Sequence, residues 1–158
     1  MRSLPAIAFV LCAIAIPARA QVNVGLAGNW TLAENDAAGR GRGGGIPGVP
    51  LATEMSIKVS ASEVTVDTNT GSAQSIQTAV YKLDGSETSV PGPLGWTNKA
   101  KATTKDSTLV ISTIRSLEGP NGPIGAEVVD VYSVSGDLLT LERMQGRNRQ
   151  KLVYKRKP

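Results

Sequence analysis

The sequence predicts an all-β domain of about 8–10 antiparallel strands, an up-and-down meander that closes into a barrel. Short runs of alternating apolar and polar residues recur roughly every 8–12 residues. No apolar period of a helix is sustained anywhere, and turn residues separate the runs. A series of hairpins this long must either close on itself or split into two packed sheets.

The first 20 residues have the pattern of a signal peptide. Arg2 supplies a positive start, Leu4–Ile16 is apolar but too short to span a bilayer, and Ala18–Ala20 fits a cleavage site. We therefore predict a signal peptide at 1–20 and a single mature domain at 21–158. The mature protein is expected to be periplasmic or extracellular.

The residue types that are missing exclude most active sites. The sequence has no histidine, and its one cysteine, Cys12, lies in the predicted signal peptide. Histidine-based triads and zinc sites with imidazole or thiolate ligands are therefore excluded. No two acidic residues are placed together on an inward face, which disfavours an all-carboxylate active site. We predict that the protein is not an enzyme and has neither a metal nor a cofactor.

Charge gives little indication of a macromolecular partner. Without Arg2 and Arg19 the formal net charge falls from +4 to +2. The aromatic residues do not alternate with the basic ones, so nucleic acid is not a predicted partner. No second apolar segment of membrane length follows, and the oligomeric state is left open.

The first strands are separated by a long glycine-rich segment. The first strand opens at Gly28–Leu32, and residues 34–52 are predicted to form a flexible loop. The Arg40–Gly45 run within it lacks the Gly-Lys-Ser/Thr sequence of a phosphate-binding loop, which favours a plain loop. Alternation then predicts strands at Met55–Val59 and around Val64–Val66.

The later strands follow the same alternation. Thr70-Gly71 marks a turn, and Asp84-Gly85 is a strong two-residue hairpin signal because both positions of such a turn need positive φ. The remaining predicted strands are 76–83, 87–90, 96–104, 108–117, 127–134, 138–144 and 149–156.

Three short motifs carry a family resemblance. They are Gly28-x-Trp30 on the first strand, Tyr81-Lys82-Leu83-Asp84-Gly85 at a turn and Lys151–Tyr154 on the last strand. With them the mature chain resembles lipocalins and fatty-acid-binding proteins, and in particular small secreted bacterial lipocalin-like proteins of unassigned function. The resemblance implies a calycin-type barrel that binds a small apolar or amphipathic molecule.

The same resemblance implies two details of the last strand. A basic residue, Lys155 or Arg156, is expected to lie over Trp30 as a cation–π contact. The Arg-x-Tyr carboxylate clamp of fatty-acid-binding proteins is absent, because Leu152 stands two residues before Tyr154.

Turn positions predict which residues face each other. A two-residue turn at Gly136-Asp137 places Tyr132 opposite Leu141 and Asp130 opposite Arg143. Further connections at 106–107, 119–125 and 145–148 extend this register. The pairs that they predict are Asn98 with Arg115, Arg115 with Asp130, and Gln150 with Arg143.

By parity these polar residues share the inward face with the large apolar ones. Two arginines around one aspartate leave a positive charge that could anchor a carboxylate or phosphate. The predicted ligand-binding residues are Trp96, Asn98, Arg115, Asp130, Tyr132, Arg143, Gln150 and Tyr154. The alternative is that this row is a solvated structural network at the rim of the barrel.

Two functions remain open from the sequence. The first is a secreted protein that binds a small hydrophobic or acidic amphipathic ligand inside the barrel. The second is a filled barrel that acts as a structural module or binds a protein or an envelope polymer through its outer surface. A cavity of several hundred Å³ would favour the first, as ligand pockets span about 300–1,000 Å³.

Overall fold

The computed structural model describes residues 24–36, 51–71, 76–92, 97–105, 107–119 and 122–158. The predicted signal peptide, most of the glycine-rich loop and Trp96 lie outside these ranges. No helix within them is long and apolar enough to cross a bilayer. A 3₁₀-helix (Val24–Leu26) precedes ten strands: β1 (Gly28–Asp36), β2 (Glu54–Val59), β3 (Glu63–Asn69), β4 (Ile76–Lys82), β5 (Thr88–Pro91), β6 (Thr97–Lys105), β7 (Thr108–Gly119), β8 (Gly122–Ser135), β9 (Leu138–Gln145) and β10 (Asn148–Arg156).

The ten strands form one antiparallel sheet in the order β4-β3-β2-β1-β10-β9-β8-β7-β6-β5. The first and last strands lie side by side, with Trp30 opposite Arg156. β4 and β5 are consecutive in the chain and close in space, yet they share no ladder. The predicted up-and-down barrel is therefore confirmed, and it is nearly closed, with a seam between β4 and β5.

The seam corrects the prediction for Asp84-Gly85, which does not form a two-residue hairpin. β4 ends at Lys82, β5 begins at Thr88, and of the dipeptide only Gly85 has a positive φ. The Asp84 carboxylate accepts a hydrogen bond from the Ser86 N–H at 2.9 Å. This local turn reverses the chain without pairing the strands on either side, which is why a tight-turn signal was misleading.

The boundary of the glycine-rich loop is also corrected. β1 continues to Asp36, and after a bulge between Leu32 and Glu34 its last residues pair with β10. Residues 34–36 therefore belong to the sheet and not to the loop predicted at 34–52. Their composition is that of a loop, but the exposed backbone of β10 provides a partner for them.

The predicted register around β9 is confirmed. Asp130 faces Arg143 across the Gly136-Asp137 hairpin, and Gln150 faces Arg143 from the other side. The connection predicted as a four-residue loop at 145–148 is a two-residue turn with Gln145 and Asn148 paired, which leaves the register unchanged.

Arg115, however, does not face Asp130 as predicted. β7 and β8 stay paired as far as Gly119 and Gly122, so residues 119 and 122–125 belong to the ladder and not to the predicted loop, and Arg115 faces Ala126. Glycines and prolines favoured a loop there, but the ladder continues through them. Because the displacement is four residues, an even number, Arg115 keeps the predicted inward face.

A packed core fills the end of the barrel next to the Gly136-Asp137 turn, called here the closed end. Arg156 covers the Trp30 ring with its guanidinium carbon 4.2 Å from the ring centroid, and it donates to the carbonyls of Ala27 and Gly25 at 2.8 and 2.7 Å. Arg156, rather than Lys155, therefore makes the expected contact. The almost fully buried side chains at this end include Leu26, Trp30, Ile57, Val64, Leu109 and Leu139.

Gly28 allows Arg156 to approach Trp30 closely. Its φ is +148°, and a Cβ at this position would overlap the Nη1 atom of Arg156. We expect Gly28→Ala to lower the free energy of unfolding by about 1–3 kcal/mol, measured by urea denaturation. Gly136→Ala is the matched control, since Gly136 has a φ of +58° but nothing within 4 Å of an added Cβ. Equal losses in the two variants would show that the collision with Arg156 contributes nothing.

Candidate functional site

A cavity of about 120 Å³ lies in the half of the barrel away from the closed end. Every strand except β1 contributes to the part of its wall that the structure describes. Met55, Val66 and Leu141 give the wall an apolar side, and charged and hydroxyl side chains occupy the remainder. The cavity is therefore amphipathic.

The structure brings most of the predicted binding residues to this cavity. Gln150 is the described exception: it is buried opposite Arg143, and its carboxamide donates to Asn35 Oδ1 at 3.1 Å rather than lining the wall. Trp96 lies outside the described residues. That the predicted binding residues contact a ligand stays a prediction. Those that line the cavity are Asn98, Arg115, Asp130, Tyr132, Arg143 and Tyr154.

Arg143 and Asp130 form a bidentate ion pair in the wall. Arg143 Nε and Nη2 donate to the two carboxylate oxygens at 2.7 and 2.9 Å, and the side chains are only 12% and 15% exposed. Burial lowers the pKa of Arg143, but the hydrogen bonds and charge of Asp130 outweigh it and the net shift is upward. The guanidinium is therefore a permanent cation whose geometry Asp130 fixes.

Arg115 adds a second positive charge at another level of the cavity. Burial lowers its pKa, the charge of Arg143 lowers it further, and the charge of Asp130 opposes both. The β6–β7 ladder extends to Lys99 opposite Ile114, so the next inward residues are Asn98 and Arg115. The single predicted row is thus replaced by two polar levels, one at Asn98 and Arg115 and one at Asp130 and Arg143.

Two tyrosine hydroxyls border the ion pair. Burial, and then the charge of Asp130, raises the pKa of Tyr81 to about 12 and that of Tyr132 well above its ordinary value. Both hydroxyls are consequently protonated hydrogen-bond donors at neutral pH. Tyr81 was missed by the sequence prediction, because the aliphatic residues Ile76 and Val80 of β4 lie on the exposed face while Tyr81 faces buried Val64 on β3.

Asn98 is a buried polar side chain in the cavity wall. It is only 4% exposed and lines the cavity. Within the described ranges, neither its carboxamide nor the hydroxyls of Tyr81 and Tyr132 have a hydrogen-bond partner. A buried polar group left unsatisfied costs about 1–3 kcal/mol. Water or a ligand in the cavity can supply the hydrogen bonds that the described part of the protein does not.

Comparison with known proteins identifies the fold. No protein-family model and no curated protein sequence matches this chain. Lipid binding protein 8 of Caenorhabditis elegans matches with a TM-score of 0.64 at 12% identity, over 87% of this chain and 100% of that one. A Schistosoma mansoni fatty acid binding protein in complex with arachidonic acid gives 0.64 at 15%, over 87% and 99%. The fluorescent protein UnaG gives 0.59 at 16%, over 84% and 97%. The chain therefore has the barrel fold of these proteins.

Proposed function

We propose that this protein binds a small amphipathic organic acid inside its barrel and does so outside the cytoplasm. The observation that carries the proposal is the convergence of an ion pair, a second arginine and further polar side chains on one amphipathic cavity. Ligand sites are typically concave and mostly apolar, with a few polar groups that fix orientation. Two of the matched structures described above are named as lipid- or fatty-acid-binding proteins, which supports binding rather than catalysis.

The arginines support an acidic ligand. Asp130 holds Arg143 rigidly, and Arg115 contributes its charge nearby, so the wall has a positive potential at the level that a ligand head group would reach. Charge-assisted hydrogen bonds to a planar guanidinium are the strongest and most directional contacts available to a carboxylate.

The second candidate is an interaction module that needs no small ligand. It is favoured by the packed closed end and by an apolar outer face on β7 and β8, where Val110 pairs with Val131 and Ile114 is 47% exposed. Such a face is typical of a partner surface. The cavity of about 120 Å³ is also smaller than the several hundred Å³ that would favour ligand binding, and it admits only a small molecule. The two candidates therefore differ in whether a small acid occupies this cavity.

Export is part of the proposal and rests on the N-terminal sequence alone. Cleavage after Ala20 would leave Gln21 at the N-terminus of the mature chain. Intact-mass measurement on protein recovered from the periplasm or the medium tests this. A product that retains Met1 and stays in the cytoplasm would remove the exported location and leave the binding site untouched.

Native mass spectrometry with organic extraction of the exported protein tests ligand binding. We expect a discrete acid to co-purify and to bind at least tenfold more weakly to Arg115→Met, because a hydrogen bond to a charged group contributes about 1.5–3 kcal/mol. Arg147→Met, which removes the same charge from an exposed turn, is the control and should bind normally. A folded, empty monomer that binds no acid would favour the second candidate.

A further inference from the structure

We infer that the cavity selects a compact, oxygen-rich acid over a long-chain fatty acid, and that Asn98, together with Tyr81 and Tyr132, makes the selection. The inference rests on the proposed function and deepens it by naming the class of ligand. It sets this chain apart from the fatty-acid-binding structures whose fold it shares.

Within the part of the barrel that the structure describes, core packing limits how far a chain could extend from the cavity. Leu26, Leu109 and Leu139 have no accessible surface, and with Trp30 they pack the closed end. The open volume of about 120 Å³ is confined to the other half of the barrel. A long acyl chain anchored at Arg115 or Arg143 and directed toward the closed end would therefore have to displace these packed side chains.

The chemistry of the wall also disfavours an alkyl chain. Asn98, Tyr81 and Tyr132 line the cavity, and in the described part of the chain their side chains make no hydrogen bond to another residue. Methylene groups packed against them would expel water and leave three polar groups unsatisfied. A ligand that carries hydroxyl or carbonyl oxygens beside its acid group satisfies them instead.

The position of Asn98 gives it the largest share of this recognition. It occupies the inward position beside Arg115 at the end of the β6–β7 ladder. Asn98 is buried, whereas Arg115 is only half-buried. A carboxamide both donates and accepts hydrogen bonds. A site built to hydrogen-bond an oxygen rejects an analogue that lacks it much more strongly than an apolar pocket rejects an extra group.

Calorimetric titration of the exported mature protein tests the inference with three acids: 4-hydroxybenzoate, benzoate and hexadecanoate. We expect 4-hydroxybenzoate to bind at least tenfold more tightly than benzoate, and hexadecanoate to bind most weakly. In Asn98→Leu the preference for the hydroxylated ring should fall at least tenfold. In NMR spectra of the wild-type protein, the ¹⁵N side-chain amide signals of Asn98 should shift when 4-hydroxybenzoate is added.

Controls separate selectivity from folding. Lys101→Leu changes an exposed residue on the same strand and should keep the order of affinities. If Asn98→Leu fails to fold by circular dichroism, Tyr132→Phe removes one hydroxyl with its ring retained and should reduce the same preference.

The possible failures are distinguishable. Tightest binding of hexadecanoate, with Asn98→Leu unaffected, would refute the selectivity and leave the proposed function standing. If none of the three acids binds and the Asn98 signals do not move, the proposed binding of an acid fails together with the inference.

Discussion

Arg143→Leu should lower the free energy of unfolding by about 3–5 kcal/mol, the usual result of removing one member of a buried ion pair. The guanidinium donates two short hydrogen bonds to Asp130 in a wall where both side chains are largely buried. Without the Arg143 guanidinium, the Asp130 carboxylate remains poorly solvated and lacks the positive charge that β9 supplied. Urea denaturation followed by circular dichroism measures the loss.

The double variant Asp130→Leu/Arg143→Leu is the control for that result. Replacing a buried pair by apolar residues of similar volume is often neutral or stabilising, so most of the lost stability should return. A single variant within about 1 kcal/mol of the unchanged protein would show that the pair is solvated, as the rim alternative from the sequence requires.

Trp30→Ala should destabilise the closed end by about 3–5 kcal/mol, the range for removing a large buried aromatic side chain. The ring is fully buried, its Nε1 donates to the Leu26 carbonyl at 3.1 Å, and Arg156 lies over its face. The change therefore removes the packing that supports the 3₁₀-helix as well as the ring itself. Thermal and urea unfolding should show the same loss.

Trp30→Phe provides the matched comparison. It keeps an aromatic face for Arg156 but loses the indole hydrogen bond and some volume, so we expect a smaller loss of about 1–2 kcal/mol. If the two variants were equally destabilised, the indole N–H and not the packing would be the dominant contribution.

The barrel was predictable because its signals are local. Strands with period-two alternation reveal their inward face directly, and the glycine of the Gly136-Asp137 turn then sets Asp130 opposite Arg143 without any knowledge of distant strands. The inward side of Arg115 was predicted for the same reason. An error of four residues along a strand preserves parity, so the face was right although the neighbour was wrong.

What could not be predicted depends on contacts between distant segments. The extent of the β7–β8 ladder through a glycine- and proline-rich stretch is decided by backbone pairing that composition does not report. The absence of a ladder between β4 and β5 likewise depends on how all ten strands are arranged around the barrel. Tyr81 was missed because its role depends on β4 curving back to face Asp130 across the barrel.

The pairing of β1 with β10 has a kinetic consequence. Within the described sheet every other ladder joins strands that follow one another in the chain, whereas this one joins Trp30 to Arg156. The segments β1–β4 and β5–β10 can each form by local hairpin pairing. Pairing of β1 with β10 requires closure of a loop that spans most of the polypeptide, and its entropic cost makes this step slow. A circular permutant opened between β4 and β5, with the old termini linked, would make strand order and chain order coincide and should fold faster.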